Sequence, residues 1–140
     1  MKATGWLFSV AMMLPGPAAA QQPSRTWTFT YLRAKSGQRE ALGKFVCANW
    51  LAMDSVAVRQ GLLHSYHLLA NADTSRNDWD WVVAVAYTHA KGYEGIQKEC
   101  EKIRRAHRPV LVNGMALGQL GHIVKSESLR EHAHPDQLHR

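Results

Sequence analysis

The stretch from Gln38 to Tyr66 constrains this chain more than any other: a long helix, a glycine and the strand that follows. Gln38 to Gln60 contains no proline and one internal glycine, Gly43. At about 100° per residue, Leu42, Phe45, Val46, Asn49, Met53, Val56 and Ala57 fall on one face, as an amphipathic helix requires. A second stripe, Cys47, Leu51, Asp54 and Val58, recurs at helical spacing. Only a narrow face with Lys44, Ser55 and Arg59 is left for water. Two stripes need two covers, so a sheet and another helix are expected on either side. Ser36 is placed to cap the start, and Gly61 sits where a C-terminal cap glycine belongs.

The sequence has 140 residues, and its first 20 have the form of a secretory signal peptide. Lys2 supplies the positive start, Gly5 to Leu14 is a short apolar core, Pro15-Gly16-Pro17 breaks it, and Ala18-Ala19-Ala20 forms an A-x-A cleavage site. The apolar run is about half of the roughly 20 residues that a membrane span needs, so export is expected in place of anchoring, to the periplasm or medium. The expected organisation is residues 1–20 as signal peptide, 21–131 as one α+β domain and 132–140 as a solvated, histidine-containing tail. The formal charge of +6 is spread over helix ends and the tail. No basic run is interleaved with aromatics, so no nucleic-acid partner is expected.

Along the mature chain, Trp27 to Arg33 alternates and is rich in aromatics and threonine, which marks a strand. Leu62 to Ala70 is a second strand, Asn71 to Asp78 a polar loop, and Trp79 to Tyr87 a third strand. A second helix is expected from about Tyr93 to His107, with Ile96, Cys100, Ile103 and His107 inward and Pro109 as its stop. A short helix within Ala116 to Val124 then precedes a last strand within Ser126 to Glu131; the alternative puts that strand at Leu117 to Val124. The order β-α-β-β-α-β is the ferredoxin-like plan, with both helices on one face of a four-stranded antiparallel sheet. In the third strand Val82, Ala84 and Ala86 point one way, and Trp79, Trp81, Val83, Val85 and Tyr87 the other. Both faces are apolar, so the face without helices needs a cover.

The segment FTYLRAKSGQREALGKF, Phe29 to Phe45, resembles the opening of NIPSNAP-type and antibiotic-biosynthesis-monooxygenase-type domains, the dimeric α+β barrel group. In these, an aromatic strand leads through a Lys-x-Gly turn into a long helix carrying a glutamate. Gly61 to Tyr66 and the SESLRE end, Ser126 to Glu131, are similar to their second and last strands. The resemblance implies a homodimer with sheets packed back to back. It implies no particular activity: the group holds oxygenases, haem-degrading enzymes, isomerases, dehalogenases and proteins without known catalysis, and none of their catalytic motifs is matched here residue by residue.

Several residues could carry chemistry. Asn49 lies within an apolar face and must be hydrogen-bonded there, either to the sheet or a water, or to a ligand. Trp50 and Asp54, one turn apart, flank it. Asp54 is either solvated or a base in a cleft. His64 and Tyr66 share one face of the second strand, with His64 read as an edge histidine or as a ligand or base. Asn49, Trp50, Asp54, His64 and Tyr66 are thus expected around one cleft. His64 and His67 point to opposite faces and cannot chelate one metal. His132, His134 and His139 lack the carboxylate or cysteine pattern that would fix a metal site. The function expected is binding of a small hydrophobic or aromatic molecule between sheet and helices, with unknown cofactor. The alternatives are a cofactor-independent oxygenase or haem-acting enzyme, and a structural interaction domain.

Cys47 and Cys100 are expected to form a disulfide. The exported address permits it. With the helices antiparallel and their opposite ends level, the sulfurs lie roughly 14 and 11 Å from those ends. Such a bridge, closing about 54 residues, is worth roughly 4 kcal/mol; the alternative is two buried free thiols. Export makes its own prediction. N-terminal sequencing of soluble protein from the cell envelope is expected to begin at Gln21 or within a residue or two, and an intact Met1 there refutes it.

Overall fold

Threonine and aromatic residues, stiff side chains that fit a pleated surface, build the first strand, β1 (Thr26–Ala34). The computed structural model describes residues 24–132 apart from 74, 76 and 77. The expected signal peptide and the histidines at 134 and 139 lie outside the described residues. After β1 come the long helix α1 (Arg39–Arg59), β2 (Leu63–Ala70) and β3 (Trp81–Tyr87). A 3-10 turn, Gly92–Ile96, leads into α2 (Gln97–Ala106). A single helical turn, α3 (Leu117–Leu120), precedes β4 (Gly121–Arg130). The strands form one antiparallel sheet in the order β2-β3-β1-β4. The fold is therefore α+β with a four-stranded antiparallel sheet, compatible with the ferredoxin-like plan.

Both helices lie on the face that carries Leu32, Val83, Val85 and Tyr87. Leu32, Leu42, Phe45, Val46, Val83 and Leu120 form one core cluster between α1, the sheet and α3. Ala57, Leu63, Tyr87, Ile96 and Ile103 form a second, between the end of α1, α2 and the sheet. A fully buried Leu or Val of this kind stabilises the fold by about 1.5–3 kcal/mol. By length and composition α1 could cross a membrane, but here its apolar face packs on the sheet.

The start of α1 is pinned to the beginning of β3. Trp81 Nε1 donates to the Arg39 carbonyl at 2.9 Å, and the Arg39 guanidinium lies over the Trp81 ring and donates to the Asn71 carbonyl. Asp80 accepts from Ala34 N–H at 2.8 Å. Gly43 makes room for the Trp81 ring, since a Cβ there would stand 2.6 Å from a ring carbon. The far end of α1 closes with a Schellman motif: Gly61 N–H donates to Val58 and Leu62 N–H to Ala57, and Gly61 takes the positive φ this requires.

Local details differ from the expectation. Ser36 does not cap α1. It sits in a turn closed by Gln38 N–H on Lys35 O, and Gln38 becomes the N-cap without a side-chain bond. β3 begins at Trp81. Trp79, before the strand, is free of its alternation and packs edge-on against Tyr31, with ring centroids 5.3 Å apart. β4 starts at Gly121, five residues before the expected start, because it pairs with the whole of β1 from Ala34 back to Thr26. A bulge in β2 between Leu63 and Ser65 makes His64 the extra residue, which breaks the parity expected for His64 and Tyr66.

The disulfide does not form. Cys47 and Cys100 are both free, and Cys47 is exposed. The reason is an offset between the helices. His107, just past α2, is level with Asn49, to which it hydrogen-bonds, and not with the start of α1. Counting back seven residues brings Cys100 level with the last turns of α1, about 13 Å from Cys47 along the axis, too far for a disulfide.

The second sheet face carries no helix. There Trp27, Phe29 and Tyr31 on β1 stand opposite the small residues Ala86, Ala84 and Val82. Trp27 stacks on Phe29 and on His67. The aromatic rings shelter the small side chains, which are almost fully buried. Leu69 and Leu129, flanking them on β2 and β4, are half exposed.

Candidate functional site

The middle of α1 is not an α-helix. Cys47–Leu51 forms a π turn, which accommodates one residue more than a regular turn. Asn49 lies within it and is buried. Its Nδ2 donates to the Phe45 and Val110 carbonyls, each at 2.9 Å. Its Oδ1 accepts from Val110 N–H at 2.7 Å and from His107 Nε2 at 3.0 Å. Only this amide orientation satisfies both polar groups of Val110, and it requires the proton of His107 on Nε2. Asn49 is therefore fully used in holding the chain after α2 against α1.

That clasp sets the position of α2 and leaves a pocket between the second half of α1, α2 and the ends of β2 and β3. It has a volume of about 170 Å³. Its walls are apolar: Met53 and Ala57 from α1, Leu63 from β2, Val85 from β3 and Ile103 from α2. The polar groups on it are Asp54, Tyr87, Tyr93, Cys100 and Arg104. Tyr93 reaches the pocket from the 3-10 turn. Gly92, at φ +61°, passes close to Thr26 there, and a Cβ would stand 3.0 Å from its methyl.

Asp54 is the unusual member. Among the described residues its carboxyl has no hydrogen-bond or ion-pair partner. Burial pushes its pKa from 3.8 up to about 6. Burial also raises Tyr87, with smaller contributions from the charges of Cys100 and Asp54. The Cys100 thiol is pushed up by burial and then by the nearby Asp54 charge, so it is a poor nucleophile. An acid kept ready to ionise near neutrality, a tyrosine and a thiol thus face one apolar space.

Of the five residues expected around one cleft, only Asp54 lines this pocket. Asn49 is turned to residues 107–110. Trp50 packs against the first core cluster. His64 is exposed at the bulge. Tyr66 pairs with Val85 and so shares the helix-covered face, but it does not line the pocket. Sequence reasoning missed Tyr87, Tyr93 and Arg104 as site residues and read Cys100 as a cross-link or a buried free thiol. Tyr87 was within reach, since it ends the alternation of Val83 and Val85. Among the described residues no group of three or more His, Cys, Asp and Glu side chains could hold a metal ion. No family model matches the chain, and no curated protein is significantly similar to it.

The Asp54 shift has a consequence for stability. A carboxyl whose folded pKa lies above its unfolded value binds more protons in the folded state between the two. Stability is then fully present below about 4 and falls as pH rises to about 6. The loss is bounded at about 3 kcal/mol. Asp54→Asn is expected to be more stable than the parent protein at pH 7.5, with the gap closing by pH 4. Urea unfolding of both proteins at the two pH values checks this, and equal stabilities at pH 7.5 refute it.

Proposed function

We propose that this protein binds a small, largely apolar molecule in the pocket between α1, α2 and the sheet. The observation that carries this is the pairing of apolar walls with one half-buried carboxyl that the protein itself leaves unpartnered. A polar group withdrawn from water without a partner costs up to about 1–3 kcal/mol, and a ligand bearing a hydrogen-bond donor would offset it. The volume is below the roughly 300–1,000 Å³ of drug-sized sites, which favours a ligand of one ring or a short chain. An enzyme reading, a cofactor-independent oxygenase among them, is favoured by one feature: an acid with a pKa of about 6 suits a general base.

The assembly proposed with it is a homodimer of the exported chain, joined through the helix-free sheet face. The support is physical: Trp27, Phe29 and Tyr31 with half-exposed Leu69 and Leu129 make an apolar surface larger than scattered residues would. It also agrees with the resemblance to the dimeric α+β barrel group.

Two measurements test these readings. In methyl-detected NMR, benzyl alcohol is expected to shift the methyls of Met53, Ala57, Leu63, Val85 and Ile103. Shifts that are absent, or confined to the other sheet face, would sink the pocket. Light scattering is expected to give twice the mature mass at micromolar concentration, and Phe29→Lys is expected to halve it. A parent protein that stays monomeric refutes the dimer.

A further inference from the structure

We infer that the pocket is selective for small amines, with the ammonium group on the Asp54 carboxylate and the apolar body along Met53, Ala57, Leu63 and Ile103. This rests on the pocket being a ligand site and names the class of ligand.

An ionised carboxylate accepts hydrogen bonds and donates none. Asp54 meets no protein donor among the described residues, so its hydrogen bonds in the pocket are open to water or to a donor on the ligand. Charge selects further. The groups facing Asp54 are Tyr87 from β3, Tyr93 from the 3-10 turn, and Cys100 and Arg104 from α2. Of these only Arg104 is a cation. It makes no ion pair with Asp54; its guanidinium lies 3.9 Å from Glu101 and is 66% exposed. Its charge is therefore largely spent on Glu101 and water. The Asp54 charge acts inside the pocket, where it contributes to raising both Tyr87 and Cys100; on Cys100 Glu99 adds to it and Arg104 opposes it, each by less than Asp54.

At Cys100 the carboxylates thus outweigh Arg104, and the balance inside the pocket is negative. A carboxylate ligand is repelled, and an alcohol satisfies the hydrogen bond but not the charge. An ammonium group does both. The rings of Tyr87 and Tyr93 supply faces on which a cation is further stabilised. The room of about 170 Å³ admits a single-ring amine such as benzylamine.

The test compares benzylamine, benzyl alcohol and benzoate on the full protein and on Asp54→Asn, followed through the same pocket methyls. Thermal unfolding confirms that the variant is folded. Benzylamine is expected to bind about tenfold tighter than benzyl alcohol at pH 7.5, a modest value for a partly buried charge pair. Asp54→Asn is expected to remove that advantage and to change benzyl alcohol binding by less than about threefold. Lowering the pH from 7.5 to 5 is expected to weaken benzylamine about tenfold, because only about a tenth of a carboxyl with a pKa near 6 stays ionised there. Benzyl alcohol binding as tightly as benzylamine, with no effect of Asp54→Asn, overturns the amine inference and leaves the pocket as a ligand site. Failure of all three molecules to shift the pocket methyls overturns both.

Discussion

The grip of one side-chain amide on one residue decides how this molecule is put together. Asn49 takes both the N–H and the C=O of Val110, as a neighbouring strand would. It also holds His107 at the end of α2. A regular connection after a helix would leave such groups to water; here they are bound by a buried side chain of α1. The grip fixes how far α2 slides along α1. Because α2 is drawn toward the middle of α1, its first turns lie beside Met53 to Ala57. The space among them and β3 is left unfilled by side chains. The pocket is the remainder of that placement, and Asp54 is the polar group stranded in it.

The two ends of α1 are held by different means. At its start, Arg39, Trp81, Asp80 and Asn71 join helix to sheet through hydrogen bonds and a ring-to-guanidinium contact. The Trp81 ring fills the place that Gly43 vacates. At its end the Schellman closure, the Thr88 hydroxyl donating to the Gly61 and Leu62 carbonyls, and the second core cluster act. The pocket lies at the second of these ends. This is the usual division between scaffold and site.

Much of the architecture was legible in the chain. The four strands, the two helices and their order follow from alternation, helical spacing and the turn formers at 36–37, 61 and 71–78. The apolar character of both faces of β3 was also legible, since alternation assigns Val82, Ala84 and Ala86 to one side without further help. Two things were not. The bulge at His64 has no signature in its own residues, and one extra residue there reversed the parity of Tyr66. The offset between α1 and α2 depends on a contact between Asn49 and Val110, which lie 61 residues apart. Without it, spacing along the chain puts the helix ends level and Cys47 beside Cys100. The same missing contact hid the pocket, because Tyr87, Cys100 and Arg104 meet Asp54 only at the true offset. Asn49 itself was the available clue: an amide within an apolar stripe has to bind something, and what it binds is backbone from beyond α2.

The π turn gives chain length a meaning that side-chain identity lacks. On an unbroken helix Cys47 and Asp54 share one stripe. In this protein Cys47 faces water and Asp54 faces the pocket, because the extra residue turns everything after Leu51 by about one helical step, roughly 100°. Deleting one residue between Cys47 and Leu51 would remove the π turn and leave Asp54 facing the pocket, because the lost residue and the lost wide turn cancel; regularising the turn at unchanged length would instead rotate Asp54 out by about 100°. A relative one residue shorter between Gly43 and Gly61 is therefore expected to carry a regular helix and to present the same residue to the pocket, so a gap of one in that interval does not by itself mark the loss of the site.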